Sequence, residues 1–122
     1  MAITLSIDAM GGDSGLDVTI PACVKFLKEF LNVNLTLVGD EVAIKQSLGN
    51  NLDLYQSRIN IVSSTQIVAM DELPQIAMRK RSSSMRLAIN EVKDGRASAV
   101  VSAGNTGALM ATARYVLRTL DG

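Results

Sequence analysis

The chain has no histidine and no tryptophan among its 122 residues, and only one cysteine. Without an imidazole, a Ser-His-Asp or Cys-His nucleophile system within the chain is excluded, and so is a His-ligated metal site. Any proton transfer falls to carboxylates, lysine, tyrosine or the substrate itself. Cys23 has no partner for an internal disulfide, which fits a reducing cytoplasm. It lies on an apolar helical pattern and reads as a buried structural thiol. Aromatic residues make up only 3% of the chain, so the core must be aliphatic. Neither sign of charge is in surplus, with 12 basic and 12 acidic residues. Nucleic acid is therefore disfavoured as a partner, because phosphate-backbone affinity needs a basic excess. There is no basic leader and no long apolar run, so the chain reads as carrying neither a signal peptide nor a spanning helix.

What is present is aliphatic and periodic. Hydrophobic residues are 48% of the chain, enough for a folded core in one domain. Ile3-Thr4-Leu5-Ser6-Ile7 alternates with period two and predicts a strand. Ile20, Val24, Leu27 and Leu31 recur at helical spacing, with Pro21 expected in the first turn. Leu35-Thr36-Leu37-Val38 predicts a second strand. Asp40 is placed to cap a short helix through Ile44 and Leu48, ending at Asn50-Asn51. Ile59-Asn60-Ile61-Val62 predicts a third strand. Pro74 opens a short helix with Ile76 and Ala77. Ser82-Ser83-Ser84 supplies caps for a helix with Met85, Ala88, Ile89 and Val92 on one face, closed by Gly95. Residues Ala97 to Ser102 predict a fourth strand. Leu109, Met110, Ala113, Val116, Leu117 and Leu120 line one side of a last helix. Met70, Met78, Met85 and Met110 are expected in the core, with an acyl-chain groove as the sharper alternative.

Strands alternating with helices predict an α/β fold, a parallel sheet with helices on both faces. Doubly wound sheets usually carry more than four strands. The chain therefore reads as the N-terminal α/β portion, residues 1–122, of a longer protein.

Two turns carry the chemistry. Ser102-Ala103-Gly104-Asn105-Thr106-Gly107 runs from a strand pattern into a helical one. There the backbone N–H groups lie unpaired and the helix dipole points outward, a seat for phosphate or carboxylate. Gly104 and Gly107 allow close backbone approach, and Asn105 and Thr106 add side-chain donors. A tight, well-capped turn with no ligand is the competing reading, at even weight. The spacing matches neither the dinucleotide nor the Walker pattern, so no nucleotide cofactor is implied. The second turn is Asp8-Ala9-Met10-Gly11-Gly12-Asp13. Its two acids give a weak metal signal, and fixing the turn is the commoner use of aspartate beside glycine. Together the turns predict a site built from loops along one edge of a sheet. Arg79-Lys80-Arg81, with Arg86 after it, is the one concentrated basic patch. A solvated face competes there with docking of an acidic partner.

The blocks Asp8–Asp13, Leu37-Val38-Gly39, Ser83-Ser84-Met85 and Ser102–Met110 together resemble the bacterial phosphate acyltransferase (PlsX) family of phospholipid synthesis. The resemblance implies an isocitrate/isopropylmalate dehydrogenase-like fold. It implies transfer of a fatty acyl group from acyl carrier protein to inorganic phosphate, and an acyl phosphate product that a membrane acyltransferase then uses. It also implies a cytoplasmic homodimer, sometimes at the membrane surface. On that resemblance, Gly11, Gly12, Asp13, Ser102, Gly104, Asn105, Thr106 and Gly107 bind substrate, and Arg79, Lys80 and Arg81 dock the acidic carrier. The family usually has a proline shortly after Asp13, where this chain has Ser14-Gly15-Leu16. A coenzyme A-dependent short-chain phosphotransacylase and a folded but inactive fragment are the alternatives.

Overall fold

The period-two segment at the start of the chain becomes the inside of the sheet. In the computed structural model, which describes residues 2–12, 15–104, 108, 112, 113 and 116, β1 (Ile3–Asp8) has a parallel neighbour on each side. One is β2 (Val33–Gly39) and the other is β4 (Ala99–Val101). A fourth strand, β3 (Ile59–Ser63), pairs in parallel with β2, so the order is β3-β2-β1-β4. Residues Leu5, Leu35 and Ile59 lie in register across three strands. Because side chains alternate, their neighbours two residues on, Ile7, Leu37 and Ile61, point the same way.

The helices cover both faces. On one side lie α1 (Leu16–Glu29) and α2 (Glu41–Leu48). Ile20, Cys23, Val24, Leu27, Ile44 and Leu48 bury there against Ile7, Leu35 and Leu37. On the other lies α5 (Ser84–Lys93), whose Met85, Ala88 and Ile89 are buried. The strand residues facing it are partly polar. Ser6 is fully buried, and its hydroxyl donates to the Ala88 carbonyl at 2.8 Å, which satisfies it without water. Short helices α3 (Asn51–Leu54) and α4 (Pro74–Arg79) complete the connections. Ala108 and Val116, beyond β4, join the cluster around Met85 and Ile89.

Several local expectations hold. The Asp40 side chain accepts from the Ala43 amide at 3.2 Å, Pro74 stands in the first turn of α4, and Ser83 caps α5 by accepting from the Arg86 amide at 3.0 Å. Gly95 closes α5 with φ 79°.

Others need correction. Helix α1 begins at Leu16, so Pro21 lies inside it rather than in its first turn. The missing N–H leaves the Asp17 carbonyl without its helical donor, on an exposed side where water can serve. Leu31 is 78% exposed instead of buried, because the helix stops at Glu29 and Phe30 is extended. Arg58 holds the chain where the helix stops: its guanidinium donates to the Leu27 carbonyl, which one more helical turn would have used, and to the carbonyls of Phe30 and Val33 beyond the helix. Gly49 rather than Asn50-Asn51 ends α2, and Asn51 opens α3. Strand β4 is shorter than Ala97–Ser102. Met85 fills the core as expected, but Met70 is exposed and Met78 only half-buried. Leu109, Met110, Leu117 and Leu120 lie outside the described residues. No helix among the described residues is long and apolar enough to cross a membrane.

Cys23 is buried as expected, and burial pushes its thiol up to about 11. The thiolate is the reactive form, so Cys23 should resist alkylation in the folded protein near neutral pH and react promptly once unfolded. Mass spectrometry after iodoacetamide, with and without urea, reads this directly. Leu37 is fully buried between the sheet and α1 and α2. Replacing it with alanine should cost about 2–5 kcal/mol in urea unfolding.

Candidate functional site

Strand order decides where the two turns meet. The chain steps outward from β1 to β2 to β3, then returns to the far side of β1 to lay down β4. The loops leaving β1 and β4 therefore depart from neighbouring strands toward different places. That is the topological switch point of an open parallel sheet, and crevices form there at the carboxyl ends of the strands.

The Asp8 and Ser102 ends are joined directly. The Ser102 hydroxyl donates to Asp8 Oδ2 at 2.9 Å across 94 residues of chain, and the Gly104 amide donates to Ser102 Oγ at 3.1 Å. Asp8 Oδ1 accepts from the Met10 amide at 3.2 Å. Asp8 is only 3% exposed, so these bonds stand in for lost water. Both turns are held by one carboxylate: its first oxygen bends the loop after β1, its second the loop after β4.

Glycine is required where the loops touch. A Cβ on Gly11 would lie 3.0 Å from Asp8 Oδ2, from Ser102 Oγ and from the Gly104 nitrogen. Gly12 has φ 88° and packs against Ala103. Gly104 touches Met85 at the start of α5, with 3.4 Å between its ideal Cβ position and Met85 Cε. The amino end of α5 thus borders the same crevice.

This geometry revises two donor expectations. The Gly104 amide and the Ser102 hydroxyl are spent on each other and on Asp8, so they brace the turn. Asp8 fixes the turns, the commoner of its expected uses. Asp13, Asn105, Thr106 and Gly107 lie outside the described residues. On the α1 side an apolar cleft of about 320 Å³ is lined by Val18, Ala22, Phe26 and Val101, with Asp8 and Ser102 also in its wall.

The basic patch also divides. Lys80 Nζ donates to Glu72 Oε1 at 2.6 Å and to the Ile67 carbonyl at 2.9 Å, so its charge is matched inside its own loop. Arg79 and Arg81 are exposed and line a separate cleft with Arg86. The sequence could not separate the three, because Glu72 is eight residues from Lys80 and only the fold of the α4 segment brings them together.

A family model described as fatty acid synthesis protein matches residues 3–122 of the chain. The chain belongs to the fatty acid synthesis protein family. Its curated relatives include proteins named phosphate acyltransferase. That of Chromobacterium violaceum is 54% identical over 123 residues, covering 100% of this chain and 36% of the relative. That of Legionella pneumophila (strain Paris) is 56% identical over 121 residues, covering 98% and 35%. That of Neisseria meningitidis serogroup B is 54% identical, covering 98% and 34%. The chain thus spans about a third of the length of these relatives, and the matched region holds both turns and the basic segment.

Two outcomes test the geometry. Gly11→Ala should destabilise the protein by about 1–3 kcal/mol in urea unfolding, because the surrounding atoms belong to backbone and short braced side chains. The hydrogen bond from Lys80, with the Ala69 amide and the Lys80 charge assisting against desolvation, holds the Glu72 carboxyl below its ordinary value. A depressed folded value means the stabilisation is present at neutral pH and fades as pH falls through that value. Glu72→Gln should therefore lower the melting temperature at neutral pH, and the difference from wild type should shrink on acidification below about pH 4.

Proposed function

We propose that the chain forms part of an enzyme that transfers a fatty acyl group from acyl carrier protein to inorganic phosphate, giving an acyl phosphate for phospholipid synthesis. The observation that carries this reading is the meeting of the two glycine turns at the switch point, in a family whose curated relatives are named phosphate acyltransferase. The residues assigned to phosphate are Gly11, Gly12, Asp13, Ser102, Gly104, Asn105, Thr106 and Gly107. Asn105 and Thr106 supply the donors, while Asp8, Ser102 and Gly104 brace the stretch that precedes them.

The reaction suits a chain without histidine. A hydrogen phosphate oxygen attacks the thioester carbonyl carbon, and the carbon–sulfur bond breaks. The acyl group leaves on phosphate, and the phosphate proton ends on the departing thiol. The nucleophile is already anionic, so orientation and partial desolvation matter more than a strong base. Donors aimed at the developing carbonyl oxyanion supply the electrostatic part. The apolar cleft whose wall includes Asp8 and Ser102 takes the acyl chain. The exposed arginines near α4 meet the acidic carrier. The enzyme works as a cytoplasmic homodimer and hands its product to a membrane acyltransferase.

Phosphate-dependent thiol release from long-chain acyl carrier protein tests this reading. Asn105→Ala should lower turnover by about a hundredfold to a thousandfold, the range for loss of one oxyanion donor. Near-normal turnover defeats the assignment of Asn105. Activity with acetyl-coenzyme A alone defeats the choice of donor.

A further inference from the structure

Arg79 ends α4, Arg81 lies in the turn that follows, and Arg86 sits in the first turn of α5. All three line one cleft of about 440 Å³, together with Gln75 and Met78. Among the described residues its lining holds no carboxylate. The nearby acid, Glu72, is engaged by Lys80. Arg86 Nη1 donates to the Met78 carbonyl at 3.0 Å, which fixes one edge of the guanidinium.

We propose that this cleft is a phosphoryl-binding subsite, formed by Arg79, Arg81 and Arg86 and distinct from the crevice between the two glycine turns. Three features favour a phosphoryl group over a broad protein face. The volume is that of a small-molecule pocket. Planar guanidinium forks match phosphate oxygens two at a time, which a lysine point charge does not. The positive end of the α5 dipole, adjoining Arg86, adds to the same field. Two ligands share this chemistry: free inorganic phosphate, and the phosphoester that tethers a thioester to its carrier. Only the choice of the second probe rests on the transfer reading above.

The test is NMR titration of the arginine Nε–H resonances in the purified protein with inorganic phosphate, pantetheine 4′-phosphate and pantetheine. Pantetheine 4′-phosphate is expected to shift Arg79, Arg81 and Arg86 saturably. The R79Q/R81Q variant should weaken that binding, followed at Arg86, by about tenfold or more. Both arginines are exposed, so the variant should keep the wild-type circular dichroism. The R79K/R81K variant retains charge but loses the forks and should bind between the two. A matching shift with inorganic phosphate alone supports the subsite and names free phosphate as its ligand. The proposal is overturned if neither phosphate compound shifts these resonances, or if pantetheine shifts them as strongly. It is also overturned if a K25Q/K28Q variant on α1 loses as much affinity, since the effect would then be net charge. None of these readouts needs turnover, so failure of the transfer reading leaves the result interpretable.

Discussion

Everything at the carboxyl edge of this sheet depends on β1 having a hydrogen-bonded partner on each side. With β2 on one side and β4 on the other, the ends of β1 and β4 stand next to each other although 94 residues separate Asp8 from Ser102. Parallel pairing makes this possible, because every strand then ends on the same edge and every helix returns the chain to the opposite one. Had β4 been added beyond β3 instead, the two glycine turns would lie on distant strands and share no crevice.

Asp8 turns that adjacency into a defined shape. A buried carboxylate must be met by donors, and here they come from both loops: the Met10 amide and the Ser102 hydroxyl. The arrangement uses groups the sequence offered as ligand donors. Once Ser102 gives its proton to Asp8 and takes one from Gly104, its part is positional. A small turn can spend its own polar groups on its geometry or on a ligand, and the division follows from which acceptor lies within reach.

The arginine segment shows the same principle on the surface. Three consecutive cations look equivalent along the chain, yet Lys80 folds back to Glu72 and the Ile67 carbonyl while Arg79 and Arg81 face a cleft with Arg86. The ion pair inside the loop matches one of the three charges and ties the segment back on itself. The basic run is accordingly divided, with Lys80 matched inside its loop and Arg79 and Arg81 beside the cleft.

Local order was legible because its causes are local. Period-two alternation marked β1 and β2, helical spacing marked the buried faces of α1 and α5, and Asp40, Pro74 and Ser83 announced helix starts through their own chemistry. The glycine turns and the parallel α/β class followed from the same signals. The exposed Leu31 was not legible, because Arg58, in the turn before β3, captures the Leu27 carbonyl of α1 and the Phe30 carbonyl just past its end. The position of Met70 was also missed, since apolar character does not say which face of a loop meets solvent. Strand order, the Asp8–Ser102 bond, the space reserved for Gly11 and the splitting of the basic run belong to tertiary structure alone. Each joins residues far apart in the chain, and local patterns hold no information about which distant group will supply the partner.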